Sequence, residues 1–158
     1  MNKKVLIGII IAVVVVLLVI GMYFAFGNKE KVADKLDLKT ISENITRDGF
    51  AEMSTMDIDK EVLSSYFQVD TANVEEVYGK VPMMNVHASL YVLLKATSGK
   101  AEDVKADIEE FGNSFEQQWS RYLPEQYDLV KARKIGVKGD VVYLIIAENS
   151  DELVKLIK

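Results

Sequence analysis

AEDVKADIEEFGNSFEQQWSRYL, residues 101–123, carries the clearest periodicity in the chain. Its large apolar side chains recur every three or four positions, which is the period of one face of an α-helix. They are Val104, Ile108, Phe111, Phe115, Trp119 and Tyr122. Acidic side chains crowd the start, where the helix dipole favours them, and Pro124 is expected to end the helix. The sequence therefore predicts a long amphipathic helix.

Segments with the pattern of β-strands lie on both sides of this helix. VHASLYVLLKA, residues 86–96, alternates along its length with the period of a strand, and NVEEVYGKV, residues 73–81, precedes it. After the helix, residues 127–147 predict a hairpin that turns at Lys138-Gly139-Asp140. The second half of that hairpin is apolar on both faces, so we expect it to lie centrally in a sheet.

Three shorter helices are predicted over LDLKTISENITRDGF (36–50), MDIDKEVLSSYF (56–67) and NSDELVKLIK (149–158). The resulting order is α-α-β-β-α-β-β-α. It predicts an α+β domain with a mostly antiparallel four-stranded sheet and helices packed on one face.

The N-terminal segment Val5–Gly27 contains no charged residue. At about 1.5 Å per residue a helix of this length reaches ~34 Å, enough to cross a hydrocarbon core of about 30 Å. A cleaved signal peptide is the alternative, but the apolar run exceeds the usual h-region of about 7–15 residues. We favour a retained transmembrane helix in contact with the lipid bilayer.

The domain boundaries follow from this anchor. Residues 1–4 form a short tail, 5–27 the transmembrane helix, 28–36 a juxtamembrane stalk and 37–158 the soluble domain. Lys3 and Lys4 before the apolar run have the form of an export signal. We therefore expect a single-pass protein of the cell membrane with a cytoplasmic N-terminus and an extracytoplasmic C-terminal domain.

Composition excludes several classes of function. The chain has no cysteine, which excludes disulfides, thiol catalysis and thiolate metal sites. All 24 acidic residues lie beyond the apolar segment, against 19 Lys and Arg in the whole chain, and no basic block appears. Nucleic acid is therefore not an expected partner. No nucleophile-elbow, zinc-protease or phosphate-loop motif is present, and we expect neither a metal nor a cofactor.

Several spaced blocks resemble a known family. VPMMNVHASLYVLLKA, the long helix, WSRYLPEQYDLVKARKI and VVYLIIAENSDELVKLIK together are similar to the domain-of-unknown-function family numbered 4358. The likeness covers about residues 36–158. It implies a small domain, mostly from Gram-positive bacteria, behind a membrane anchor or a lipoprotein signal. It assigns no activity and no functional residue, and the lipoprotein cysteine is missing here.

The stretch PMMNVH, residues 82–87, is the first candidate site. Pro82 is expected to end one strand, Met83, Met84 and Asn85 to turn the chain, and the next strand to begin at Val86. The two methionines either fill space under this turn, the interpretation we favour, or form a soft contact surface for a partner. His87 is the only histidine, and we expect it near solvent on the less buried strand face.

An aromatic group is the second candidate site. Trp119, Tyr122 and Tyr127 bracket the sequence LPEQ, with Arg121 nearby. These side chains either pack in the core with their polar tips at its edge, which we favour, or form a platform for a carbohydrate or peptide.

The sequence favours a non-catalytic binding or accessory module at the bacterial cell envelope, with an envelope protein or a cell-wall component as partner. The alternatives are a small envelope hydrolase that uses His87 or a carboxylate pair, and a structural anchor for a larger membrane complex. The oligomeric state does not follow from the sequence.

We expect the full-length protein to stay with the membrane and to be degraded by protease added to intact cells, because residues 5–27 hold the domain on the outer side. Cell fractionation with protease accessibility tests this. A mature protein that starts at Asn28 and is free in the medium would contradict it.

Overall fold

A computed structural model of the protein describes residues 37–157. The predicted tail, membrane helix and stalk, residues 1–36, lie outside the described residues, as do the ends of the predicted span, Val5 and Gly27. Between residues 37 and 157, no helix combines the length and the apolarity needed to cross a bilayer.

Five antiparallel strands form one sheet in the order β1-β2-β3-β5-β4. They are β1 (Thr55–Asp57), β2 (Val74–Pro82), β3 (Leu90–Ala96), β4 (Lys134–Lys138) and β5 (Val141–Ile146). Together with the helices this confirms the predicted α+β class. As predicted, β5 lies inside the sheet, between β3 and β4.

Five α-helices accompany the sheet in the described chain. They are α1 (Leu38–Ile45), which continues into a wider turn over Thr46–Phe50, α2 (Lys60–Ser65), α3 (Ala101–Trp119), α4 (Pro124–Lys131) and α5 (Ser150–Val154). Asp37 and Asp59 cap α1 and α2, since their carboxylates accept the backbone N–H groups of Thr40 and Val62.

Two predicted elements are wrong in detail. The sheet has five strands rather than four, because Met56 and Asp57 are extended and pair with β2 instead of starting a helix. The first half of the predicted hairpin strand is largely helical, since Pro124 begins α4 and does not end α3, which already ends at Trp119. Proline suits the first turn of a helix, where its missing N–H has no partner to lose.

Helices cover both faces of the sheet, which corrects the prediction of one covered face. The first core joins α2, α3 and α4 to one face through side chains such as Val92, Leu94 and Ile108. The second core joins α1 and α5 to the other face through side chains such as Leu93 and Ile145. Strand β3 feeds both cores, so its two faces are buried.

Tyr91 is the polar side chain at the centre of the second core. Its ring is fully buried, and its hydroxyl lies 2.8 Å from Ser42 Oγ, 2.7 Å from Thr46 Oγ1 and 3.0 Å from the Ser42 carbonyl oxygen. A phenol has one proton and two lone pairs, so it can donate to the carbonyl and accept from both hydroxyls. This contact fixes α1 against β3.

The outer edge of β2 is only partly paired. Strand β1 covers Lys80–Pro82, and Lys60 Nζ donates to the Val74 carbonyl oxygen at 2.9 Å. On the neighbouring strand, Lys95 Nζ forms ion pairs with Glu75 at 2.6 Å and Glu76 at 3.3 Å. Charged side chains therefore mark the part of this edge that β1 leaves open.

Tyr91→Phe should lower the free energy of unfolding by about 1–3 kcal/mol, because two partly buried hydroxyls on α1 lose their shared partner. Tyr122→Phe is the matched control, since the Tyr122 hydroxyl forms no hydrogen bond within residues 37–157, and it should change stability by less than about 0.5 kcal/mol. Urea denaturation of both variants measures the difference. Equal stability of the two would show that the Tyr91 hydroxyl does not hold α1.

Candidate functional site

A cleft of about 660 Å³ opens between the turn that follows β2, helix α2 and the C-terminal end of α3. It brings together four of the predicted site residues: Asn85, His87, Trp119 and Tyr122. The sequence analysis did not predict the other lining residues, which are Met56, Val62, Ser65, Tyr66, Val81, Pro82, Phe115 and Gln118. The volume lies in the usual range for ligand pockets, about 300–1,000 Å³.

The turn over residues 83–89 forms one wall of the cleft. The Met83 N–H donates to the Ser54 carbonyl oxygen at 3.0 Å, and the Ala88 N–H donates to Gln126 Oε1 on α4 at 2.8 Å. Strand β3 begins at Leu90, so the prediction that it begins at Val86 is wrong. His87 consequently lies on this turn rather than on a strand face, and it is exposed.

The two methionines of the turn face solvent. Met83 is 63% exposed and Met84 53%, so the interpretation that they fill space beneath the turn is wrong. Every large apolar residue that is exposed within 37–157 either lines the cleft or lies within two positions in sequence of a residue that does. They are Met56, Tyr66, Met83, Met84, Val86, Tyr122 and Leu123. The cleft and its rim therefore form an apolar surface.

Aromatic rings continue from the core into this cleft. Phe115 and Trp119 lie 6.0 Å apart, and Trp119 and Tyr122 lie 5.5 Å apart, between ring centroids. Trp119 is 5% exposed and packs in the first core as predicted, whereas Tyr122 lies beyond the end of α3 and is 60% exposed. The aromatic group is thus divided between core and surface.

Two polar groups of the cleft have perturbed surroundings. The indole N–H of Trp119 is buried and has no hydrogen-bond acceptor among the described residues. An unmade bond of this kind costs about 1–3 kcal/mol. Partial burial raises the pKa of the Tyr66 phenol above its ordinary value, because the charged form is poorly solvated there. Both features suit a site that receives a neutral hydrogen-bond acceptor.

Apart from the two methionines of the turn, two predicted site residues do not line the cleft. Tyr127 lines a separate depression beside Asn113 and Glu116, with Lys131 Nζ 4.7 Å from its ring centroid. Arg121 is exposed, does not line the cleft, and makes no hydrogen bond or ion pair with any other residue of the described range. The structure therefore does not join these two side chains to the turn.

The cleft does not assemble a catalytic triad. Ser65 and His87 both line it, but no Asp or Glu does. The His87 imidazole forms no hydrogen bond within residues 37–157, so no acid orients it. Asp57 and Asp59, which resemble the start of a calcium loop, pair with Lys80 and cap α2. Over the described chain, no group of three or more His, Asp or Glu side chains is placed to hold a metal ion.

A family model described as "Domain of unknown function (DUF4358)" matches residues 50–147. The match includes all five strands, helices α2 to α4 and every residue that lines the cleft. It confirms the resemblance drawn from the sequence blocks. No curated protein and no solved structure matches the chain.

Gln126→Ala should loosen the turn, because the Ala88 N–H loses its acceptor on α4. We expect the Ala88 amide to exchange with solvent about two- to tenfold faster, as the loss of one hydrogen bond implies. Gln126→Glu is the matched control, since it keeps an oxygen acceptor and should preserve the slow exchange. Hydrogen exchange measured by NMR distinguishes them. An unchanged rate in Gln126→Ala would mean that other contacts hold the turn.

Proposed function

This chain belongs to the DUF4358 family, and since that family has no assigned activity, we propose from the geometry that its domain is a binding module of the bacterial cell envelope. In this proposal residues 5–27 anchor the protein in the membrane with the domain on the outer side. The cleft beside His87 and Trp119 receives an apolar part of another envelope protein.

One observation carries the proposal. Within residues 37–157, the large apolar side chains that are exposed lie in one cleft and on its rim. Elsewhere in this range the large apolar side chains are at least partly buried. Such patches on soluble domains mark interaction sites. Methionines such as Met83 and Met84 adapt to irregular apolar partners because their side chains are unbranched and flexible.

A protein partner agrees with this surface better than a cell-wall glycan does. Sugars need dense hydrogen bonding from side chains around an exposed aromatic face. Tyr66 and Tyr122 present rings here, but the other large exposed apolar side chains of the rim donate no hydrogen bond. They are Met56, Met83, Met84, Val86 and Leu123. The alternative of an envelope hydrolase receives no support from the cleft, because His87 has neither an orienting acid nor a hydrogen-bonded nucleophile there.

Photo-crosslinking in native membranes tests the proposal. The full-length protein carries a photoreactive residue at Met84 on the rim or, as a control, at the exposed residue Glu43 on α1, which packs on the other face of the sheet. We expect a discrete adduct with an envelope protein from position 84 only. Adding Tyr122→Ser should reduce its yield several-fold, because an exposed aromatic contact on the rim is lost.

Met53→Ser is a control for the loss of a large apolar side chain away from the cleft, since Met53 packs against the second core on the other face of the sheet. It should leave the yield from position 84 unchanged. The same adduct from positions 84 and 43, or no adduct from position 84, would contradict the proposed binding site.

A further inference from the structure

The cleft continues into a second depression along α3. This depression, of about 320 Å³, shares four lining residues with the cleft: Ser65, Tyr66, Phe115 and Gln118. The two form one groove between α2 and α3. From Asp107 to Trp119 the groove follows twelve residues of helix, which is about 18 Å at 1.5 Å per residue.

Aromatic rings line the length of this groove. Phe67 and Phe111 lie 4.5 Å apart, Phe111 and Phe115 stack at 5.3 Å, and the row continues through Trp119 to Tyr122. Aromatic rings therefore border the groove along its whole length. Polar side chains lie beside them, among them Gln68, Ser114 and Gln118.

The two ends of the groove differ in charge. Asp107 and Glu110 line the far end, and neither forms an ion pair with any residue in the range 37–157. Asp107 accepts only the Asp70 N–H, at 3.2 Å. The neighbouring Glu109, which does not line the groove, pairs with Lys105 at 3.3 Å. No Lys or Arg lines the cleft or the depression.

We infer that the occupant of the groove is a peptide segment of the partner protein, with an apolar side chain at the His87–Trp119 end and a Lys or Arg about 18 Å further along, at Asp107 and Glu110. This inference rests on the proposed function. The basic side chain supplies a positive charge opposite the two carboxylates. The row of aromatic rings sets the distance between this side chain and the apolar side chain at the His87–Trp119 end.

The polar groups of the groove suit a peptide backbone. Asn85 and Gln118 each carry a donor and an acceptor in one planar amide, and both line the cleft. The Trp119 N–H lacks an acceptor, which a peptide carbonyl oxygen would provide. A simple acyl chain would leave these groups unpaired.

Peptide binding to the full-length protein in phosphatidylcholine nanodiscs tests the inference. Three tryptophan-free peptides of about twelve residues, the helical length that spans about 18 Å, are compared. The first has a Leu/Phe core and lysines at one end, the second has glutamates in place of the lysines, and the third has lysines with serines in place of the core. Trp119 is the only tryptophan of the chain, so its fluorescence reports the cleft.

We expect the first peptide to bind most tightly and to weaken as salt is added. Asp107→Asn with Glu110→Gln should raise its Kd about fivefold, in line with exposed ion pairs, and should not weaken binding of the second peptide, whose glutamates these carboxylates repel. Glu102→Gln with Glu109→Gln is the matched control, because it also removes two negative charges from α3, at positions outside the groove. It should change the Kd of the first peptide less than twofold.

Two results would overturn the charge assignment and leave the proposed binding module intact. They are equal Kd values for the first and second peptides, and equal effects of the groove variant and of Glu102→Gln with Glu109→Gln. Equal binding of the first and third peptides would show attraction to the acidic surface alone and would overturn the peptide assignment. No response of Trp119 to any peptide would also overturn it, whereas the crosslinking result decides the binding module separately.

Discussion

Strand β3 has no face that water can reach, and the architecture of the domain follows from this. Leu90, Val92 and Leu94 are buried on one side and Tyr91 and Leu93 on the other, so helices must cover both sides of the sheet. The strand also needs hydrogen-bonded neighbours on both edges, which β2 and β5 provide. The buried hydroxyl of Tyr91 on this strand has hydrogen-bond partners only when α1 packs against it, so the second layer of helices adopts a defined position.

The groove arises where the first of these two layers is incomplete. Pro82 has no N–H to extend the ladder, and the chain returns to the sheet only at Leu90, so the residues between them lie on the surface. Helix α2 has only six residues, and its neighbour Tyr66 remains partly exposed beside α3. Helix α3 has 19 residues and is much longer than helix α2 or the turn over residues 83–89, which lie beside it. Its aromatic face therefore emerges from the core into the cleft.

The sequence predicted the elements with strong periodicity and missed those defined by contacts. The stripe from Val104 to Trp119 predicted α3, and the alternation around Leu90 predicted β3, because burial imposes those periods. The three-residue strand β1 has no period to detect. Helix α4 was read as strand because its few apolar residues fit either period. The second face is covered because Ser42 and Thr46 contact Tyr91, from which they are separated by 49 and 45 positions in the sequence. No local pattern indicates contacts over such distances.

The candidate site was predicted in part for the same reason. Proline and two methionines marked the turn, and the single tryptophan marked the end of α3, but nothing in the local sequence indicated that Gln126 holds the turn. Helix α2 did contain one signal. Val62, Leu63, Tyr66 and Phe67 are too many apolar side chains for so short a helix to bury, so some of them had to line an open surface.

The short edge strand has a consequence for copies of the domain that lie close together. Because β1 covers only three residues of β2 and the Ile58 N–H donates to the Gly79 carbonyl oxygen, a strand from a neighbouring molecule would have to approach that edge around residues 75–78. It would meet the carboxylates of Glu75 and Glu76 and the Lys60 ammonium group on the Val74 carbonyl oxygen. Desolvating these charges opposes sheet extension from one molecule to the next. Crowded copies would thus remain free of amyloid-like stacking while the apolar cleft stays open.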